Sequence, residues 1–153
     1  MSDNHLPILW LTGNTGAGKS TLAFAAQRHF NEKSDSNLRI IVLDGDEMRA
    51  TISESEDLSP EGRRSHNLRV ARLAKLLADQ GLLVLVSVIA PFQSVREEIQ
   101  EICDPQWIYV KRSGLDAQDK PYEPPQNAAL VIDTDVVSKE EGEAQIIEFI
   151  EKL

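Results

Sequence analysis

The stretch LPILWLTGNTGAGKSTLAFAAQRHF, residues 6–30, decides the fold. It begins with a short apolar run that stops at Gly13, and beyond the glycine-rich segment apolar residues recur at helical spacing. The stretch therefore predicts a strand, a glycine loop and a helix in that order. Its residues 13–20, GNTGAGKS, satisfy the pattern G-x-x-x-x-G-K-[ST]. Between a strand and a helix, this pattern is typical of a phosphate-binding loop (P-loop).

The residue types of this loop suit a nucleoside triphosphate. Glycines let backbone N–H groups turn toward phosphate oxygens, and the helix N-terminus adds the positive end of its dipole. We expect Lys19 to contact the β- and γ-phosphates of ATP without packing against the protein, as a binding and catalytic residue, and Ser20 to ligate Mg²⁺. A glycine-rich turn without a ligand is the alternative. The predicted ATP-binding residues are Gly13, Asn14, Thr15, Gly16, Ala17, Gly18, Lys19, Ser20 and Thr21.

Strand-like and helical segments alternate along the rest of the chain. Apolar runs predict strands near residues 38–44, 82–90, 106–111 and 129–133, and helices are predicted from Ser59 to about residue 80, over 91–102 and over 138–153. Such alternation predicts an α/β fold with three layers, a parallel sheet flanked by helices, as in P-loop NTPases of the nucleoside-kinase type. Residues 1–153 form one predicted domain, and the segment 112–127, RSGLDAQDKPYEPPQN, is predicted to be a loop.

Composition excludes several classes of function. The 153 residues are 41% hydrophobic and carry a formal net charge of −9, which repels nucleic acid. No apolar run approaches the ~20 residues of a membrane span, and the N-terminus lacks the basic region of a signal peptide, so we expect a cytoplasmic protein without a membrane partner. The single cysteine, Cys103, is predicted to be a structural thiol.

The second predicted strand ends in LDGDEMR, residues 43–49. Ligands of open α/β sheets lie at the carboxyl ends of strands, which is where Asp44 and Asp46 stand. Asp46 is therefore a candidate general base for an acceptor hydroxyl, or a ligand of Mg²⁺ or of its waters. Asp44 and Arg49 are candidates for binding an anionic acceptor. The alternative is that the two carboxylates only cap the following helix.

On the long helix, Arg63, His66 and Asn67 are spaced to share one face with the apolar residues that follow. Three polar groups thus extend the buried face toward the helix N-terminus. An ion pair between Arg63 and an acidic residue is one interpretation. Because Arg49 is close in sequence, we favour binding of an anionic acceptor by both arginines.

These motifs resemble the adenylylsulfate kinase (APS kinase) family, which moves the γ-phosphate of ATP to the 3′-hydroxyl of adenosine 5′-phosphosulfate (APS). The family pattern is matched in order between about residues 8 and 135 by GNTGAGKST, LDGDEMR, LSPEGRR, AKLLADQG, VIAPF and PYEPPQNAALVIDT. The resemblance implies an ATP- and Mg²⁺-dependent kinase of sulfate activation. It makes Asp46 the catalytic aspartate, and Arg49 and Arg63 the arginines that contact APS. An alignment to the family without a gap puts His66 at the position of the family's substrate-binding asparagine, whereas an alignment with a one-residue gap puts Asn67 there.

The sequence also departs from the family. Leu58 and Leu115 stand where the family stacks the acceptor adenine between two phenylalanines, so adenine preference is expected to be weaker by roughly 1–3 kcal/mol per lost stack. The loop before PYE is shortened and keeps Lys111, Arg112 and Lys120 as its cations. Two alternatives to an APS kinase therefore stay open: a related kinase for another anionic nucleotide or small alcohol, and a nucleotide-binding relative without catalysis. The small-molecule acceptor is the predicted partner, and a homodimer stays open.

Overall fold

The protein is described by a computed structural model, which covers residues 6–33, 37–115 and 121–153. Five strands and five helices occur in these ranges. The strands are β1 (Ile8–Thr12), β2 (Ile40–Asp44), β3 (Leu83–Ser87), β4 (Gln106–Lys111) and β5 (Leu130–Asp133). The helices are α1 (Lys19–Asn31), α2 (Gly45–Ala50), α3 (Pro60–Ala78), α4 (Gln93–Cys103) and α5 (Lys139–Glu151).

The five strands form one parallel sheet in the order β2-β3-β1-β4-β5. This confirms the predicted α/β fold. The apolar run 82–90 becomes β3, an interior strand whose residues are all buried. Because the strands are parallel, the loops that follow β1, β2 and β3 leave the sheet at the same edge, where the predicted site residues are concentrated.

Helices cover both faces of the sheet and make three layers. On β1, Leu9 and Leu11 belong to a core shared with α1 and α5, whereas Ile8 and Trp10 belong to a second core shared with α3 and α4. This alternation follows from the period of two in a strand. The central strand is therefore apolar from Ile8 to Leu11, as its sequence predicts, and it ends in Thr12.

Local sequence signals account for the helix boundaries. Ser59 caps α3 by accepting a hydrogen bond from the Gly62 amide, and Pro60 occupies its first turn, as expected. Helix α5 begins with a capping box between Ser138 and Glu141. It tolerates Gly142 because α5 approaches Leu22 there so closely that a Cβ would lie 3.3 Å from the leucine Cδ2.

Two further expectations concern single features. Cys103 is half-buried beside the second core, and burial raises its pKa to about 12, as expected of a structural thiol. In the three described ranges, we find no helix with the length and apolar character needed to cross a bilayer.

Candidate active site

The loop between β1 and α1 has a backbone that requires its glycines. Gly13 has a φ of 153°, and a Cβ there would lie 2.2 Å from the carbonyl oxygen of Val110 on β4. Gly18 adopts the left-handed conformation, with a φ of 104°, at the position that caps α1. The two glycines of the sequence pattern are therefore the residues that let this loop turn between strand and helix.

The Lys19 side chain folds back onto this loop. Its Nζ donates hydrogen bonds to the carbonyl oxygens of Gly13, at 2.7 Å, and Asn14, at 3.1 Å. The residue is only 8% exposed, so the expectation that it does not pack was wrong. Burial lowers its pKa to about 8, although nearby Asp44 and Asp46 act in the opposite direction. The loop's own carbonyls thus accept hydrogen bonds from the ammonium group.

Ser20, Asp44 and Ser87 form a hydrogen-bonded group at the ends of α1, β2 and β3. The Ser20 hydroxyl donates to Asp44 Oδ1 and lies 2.9 Å from the Ser87 hydroxyl. Asp44 also caps α2, since its Oδ2 accepts a bond from the Glu47 amide at 3.4 Å. The capping alternative is therefore realised for Asp44, together with a contact to the P-loop.

This group fits a magnesium ion chemically, because hydroxyl and carboxylate oxygens are the hard donors that Mg²⁺ prefers. The role of Ser20 as a ligand stays a prediction, and Asp44 is the carboxylate that contacts its hydroxyl. Among the described residues, no cluster of three His, Cys, Asp or Glu side chains could hold a metal. Such a P-loop site depends on phosphate oxygens and water for its remaining ligands. The assignment of Asp46 to the metal stays a prediction.

Sequence reasoning missed Ser87. Its only signal in the sequence was its place at the end of the apolar run that forms β3. In the structure, β3 pairs with β2, and Ser87 therefore lies opposite Asp44. The pairing of the two strands was not predicted, and a serine alone has no distinctive pattern.

One cleft of about 360 Å³ joins the P-loop to the predicted acceptor residues. Its walls come from the loop and start of α1, from the region after β2, from the first turns of α3 and from the segment after β3. The lining residues are Thr15, Gly16, Gly18, Lys19, Ser20, Thr21, Asp44, Gly45, Asp46, Arg49, Arg63, His66, Asn67, Ser87, Val88, Ile89, Ala90 and Pro91.

The two predicted anion-binding arginines face this cleft from α2 and α3. The pKa of Arg49 is lowered by burial and then by the positive charge of Arg63, which shows that the two guanidinium groups interact electrostatically. Arg63 Nε donates to the Leu58 carbonyl at 2.8 Å, which fixes its side chain. Two interacting cations beside a P-loop favour a second anion in the cleft.

His66 and Asn67 are both buried and both line the cleft, so the structure does not choose between the two alignments. His66 is 2% exposed, and its Nδ1 has no hydrogen-bond partner among the residues that the structure describes. Burial, followed by the charges of Arg49 and Arg69, lowers its pKa to about 4. The imidazole is therefore neutral near pH 7.

The two leucines at the family's aromatic positions do not line the cleft. Leu58 is 63% exposed, and Leu115 packs at the edge of the first core. Their predicted contact with the acceptor stays a prediction. Of the loop cations, Lys111 is exposed, Arg112 donates to the Gly16 carbonyl at 3.3 Å, and Lys120 lies outside the described residues.

Comparison with known proteins places this geometry among kinases. The sequence model of the adenylylsulphate kinase family matches residues 6–114. A probable adenylyl-sulfate kinase of Bacillus subtilis is 35% identical, over 95% of this chain and 85% of its own length. That alignment spans 170 positions, more than the 153 residues of this chain, so the relative contains residues that this chain lacks.

Solved structures agree. The APS kinase of Mycobacterium tuberculosis, solved in complex with AMPPNP and APS, superposes with a TM-score of 0.85 at 26% identity, covering 96% of this chain and 98% of that one. A hexameric APS kinase from Thiobacillus denitrificans superposes with a TM-score of 0.80 at 27% identity, covering 97% of this chain and 30% of that one.

Proposed function

Because the chain belongs to the adenylylsulphate kinase family, we propose that it is an ATP-dependent kinase that phosphorylates the 3′-hydroxyl of APS. Such an enzyme is a phosphotransferase with an alcohol acceptor and serves sulfate activation. The Mycobacterium tuberculosis relative, whose structure contains both AMPPNP and APS, supports ATP as donor and APS as acceptor.

The observation that carries the proposal is the single cleft shared by the P-loop and by Arg49 and Arg63. A P-loop alone identifies a triphosphate site, and basic residues alone identify only an attraction for anions. Their arrangement around one cleft of about 360 Å³ supports binding of donor and anionic acceptor side by side. Phosphoryl transfer depends mainly on such positioning and on charge stabilisation.

In the reaction, the acceptor's 3′-hydroxyl oxygen forms a bond to the γ-phosphorus, and the bond from that phosphorus to the β–γ bridging oxygen breaks. ADP leaves with the electron pair of the broken bond. Asp46, which lines the cleft and is exposed, takes the hydroxyl proton and passes it to solvent.

Lys19 and the loop amides stabilise the charge on the transferred phosphate. To do so, Lys19 exchanges its hydrogen bonds to Gly13 and Asn14 for bonds to phosphate oxygens. Mg²⁺ held by Ser20, with Asp44 contacting that hydroxyl, would supply charge neutralisation at the β- and γ-phosphates. Arg49 and Arg63 bind the phosphosulfate anion of the acceptor, where guanidinium groups match the geometry of the oxygens.

One observation favours a second candidate, a kinase of the same construction that acts on another anionic nucleotide or small alcohol. Leu58 lies outside the cleft and has no aromatic ring to stack on a base. The anion-binding residues are retained, so the change would affect the uncharged part of the acceptor.

Steady-state ADP release with saturating MgATP and a panel of acceptors tests the proposal. We expect release to depend on APS and to be negligible with AMP, adenosine and simple sugars. Release that depends on another acceptor would support the second candidate. Tight ATP binding without acceptor-dependent release from any panel member would identify a relative that binds nucleotide without catalysis.

We also infer a cytoplasmic enzyme that self-associates, with the homodimer as its smallest assembly. The hexameric relative from Thiobacillus denitrificans supports self-association. Light scattering after gel filtration should give at least twice the mass of the chain, and a purely monomeric species at micromolar concentration would contradict this inference.

A further inference from the structure

Arg96 is a buried cation that has no role in the site described above. It lies on α4 and is 2% exposed. Burial lowers its pKa, as expected for a guanidinium group taken out of water. In the described part of the chain, no carboxylate forms an ion pair with it, although buried charges are normally paired. Because burial of a guanidinium group without an ion pair is costly, its other contacts must compensate for that cost.

The partners of Arg96 are oxygens from two segments that are far apart in sequence. Nη1 donates to the Ala90 carbonyl at 2.7 Å. Nη2 donates to the Glu123 carbonyl at 2.5 Å and to the Gln93 side chain at 3.0 Å. The planar guanidinium group therefore joins the segment after β3 to the segment that leads into β5. An ammonium group lacks this fixed fork of donors.

The segment after β3 is part of the cleft wall and has an unusual backbone. Ala90 lines the cleft, is fully buried and has a φ of 48°, in the left-handed region that side chains other than glycine rarely adopt. Such a conformation persists only where surrounding contacts hold it. The hydrogen bond from Arg96 to the Ala90 carbonyl is one of those contacts.

The same two segments are also joined by their own backbone. The Glu123 amide donates to the Pro91 carbonyl at 2.8 Å, and the Glu123 carboxylate accepts from the Gln93 amide at 2.7 Å. Arg96 thus lies at a junction where Glu123 is hydrogen-bonded to Pro91 and Gln93. Movement at this junction would move Ala90 and Pro91 within the cleft.

Tyr122 extends the junction to the P-loop. The Arg96 guanidinium carbon lies 5.7 Å from the Tyr122 ring centroid. The Tyr122 hydroxyl lies 2.8 Å from Thr12 Oγ1, which itself donates to the Ile89 carbonyl at 2.5 Å. Since the one hydroxyl hydrogen of Thr12 goes to Ile89, Tyr122 is the donor in their shared bond. Thr12 immediately precedes the first glycine of the P-loop.

We propose that Arg96, acting through Ala90 and Tyr122, is a positioning residue that fixes the cleft wall 88–91 relative to the P-loop and so aligns the acceptor with the γ-phosphate. Arg96 does not line the cleft, so we expect it to contact neither substrate. Its effect is therefore on the rate of transfer within the bound complex, because misplacement by about 1 Å can cost ~10²-fold in rate. The inference rests on the proposed kinase activity of the same cleft.

Replacement Arg96→Lys keeps the charge but loses the fork of donors, and Tyr122→Phe removes only the bond to Thr12. The matched control is Arg64→Lys, since Arg64 also contacts α4, through Glu98 at 2.6 Å, but lies outside the cleft. We expect Arg96→Lys to lower kcat by roughly 10–100-fold, with the KM for ATP within about threefold of wild type. We expect a smaller loss for Tyr122→Phe and wild-type kinetics for Arg64→Lys.

The variant that combines Arg96→Lys with Tyr122→Phe should have a kcat little lower than that of Arg96→Lys alone, because both residues hold the same wall of the cleft. A wild-type kcat in Arg96→Lys, or a loss explained by the unfolded fraction alone, would overturn the inference. If Arg96→Lys does not fold, a wild-type kcat in Tyr122→Phe overturns it.

A second readout separates this inference from the proposed function. Hydrogen exchange at the Glu123 amide should be faster in Arg96→Lys than in wild type, whichever acceptor the enzyme uses, and unchanged exchange would count against the inference. If the wild-type protein transfers phosphate to another acceptor and not to APS, the proposed substrate is contradicted. The loss in kcat of Arg96→Lys would then be measured with that other acceptor.

Discussion

The Lys19 ammonium nitrogen lies 2.7 Å from the carbonyl oxygen of Gly13, within the same P-loop. A second bond, to the Asn14 carbonyl at 3.1 Å, holds the side chain over the loop. Burial lowers the pKa of this lysine to about 8, so a substantial fraction is neutral in mildly alkaline solution. ATP must therefore replace carbonyl partners with phosphates, which favour the charged form.

From this we expect ATP binding to be coupled to proton uptake. Because the pKa of Lys19 is lowered to about 8 and phosphate oxygens raise it again, we expect a fraction of a proton to be taken up per ATP bound at pH 8. Calorimetry in buffers of different ionisation enthalpy measures this number directly. Lys19→Met should bind ATP far more weakly and show no such uptake. Identical heats in all buffers at pH 8 would contradict the assignment.

Asp46 and Asp44 are predicted to differ in role, although only Gly45 separates them. Asp46→Asn should lower turnover by ~10²-fold or more, since it removes the group that takes the hydroxyl proton. Asp44→Asn should instead raise the Mg²⁺ concentration needed for half-maximal activity, because Asp44 contacts the Ser20 hydroxyl. Initial rates over a magnesium titration distinguish the two. A rate for Asp46→Asn within a few-fold of wild type would leave Asp46 without a catalytic role.

Arg63→Ala tests the acceptor side of the cleft. Loss of a charge-assisted hydrogen bond, about 1.5–3 kcal/mol, should raise the acceptor KM by one to two orders of magnitude and leave the ATP KM nearly unchanged. Arg72→Ala is the matched control, because Arg72 is exposed on the same helix and does not line the cleft. An equal rise in both KM values would place Arg63 in a structural role.

His66 should make the ligand-free protein sensitive to mild acid. The pKa of His66 is about 4 in the fold, against 6.5 for an ordinary histidine, so between these values the unfolded chain binds a proton that the folded protein does not. The free energy of unfolding should therefore fall as pH drops below 6.5. Denaturant unfolding at pH 7.5 and 5.5 should show a smaller fall in His66→Asn than in wild type. His29→Asn, changed at an exposed histidine of α1, should behave like wild type.

Much of the fold was predictable because its signals are local. The run that became β3 is apolar from Leu83 to Val86 before it ends in Ser87, and the start of α3 has both an N-cap serine and a proline. Strand order was not predicted, since it depends on contacts between residues far apart in sequence. Ser87 was missed for that reason, because its place opposite Asp44 follows from the pairing of β2 with β3.

The site was predictable to a similar extent. The P-loop, Asp46 and the two arginines belong to patterns whose residue types have direct chemical roles, and the structure brings them to one cleft. The burial of Lys19 could not be predicted from the P-loop pattern, because the pattern indicates only that the lysine contacts phosphate. Arg96 gave no signal either, because its partners Ala90 and Glu123 contribute backbone carbonyls, which any residue type can supply.

Identification of the phosphorylated product tests the central claim most directly. The protein is incubated with MgATP labelled at the γ-phosphate and with APS, and the product is analysed by mass spectrometry and by phosphorus NMR. The proposed function predicts that the label is transferred to APS and that the new phosphate is bonded to its 3′-oxygen. Label recovered only as inorganic phosphate or unreacted ATP, with APS unchanged, would contradict it.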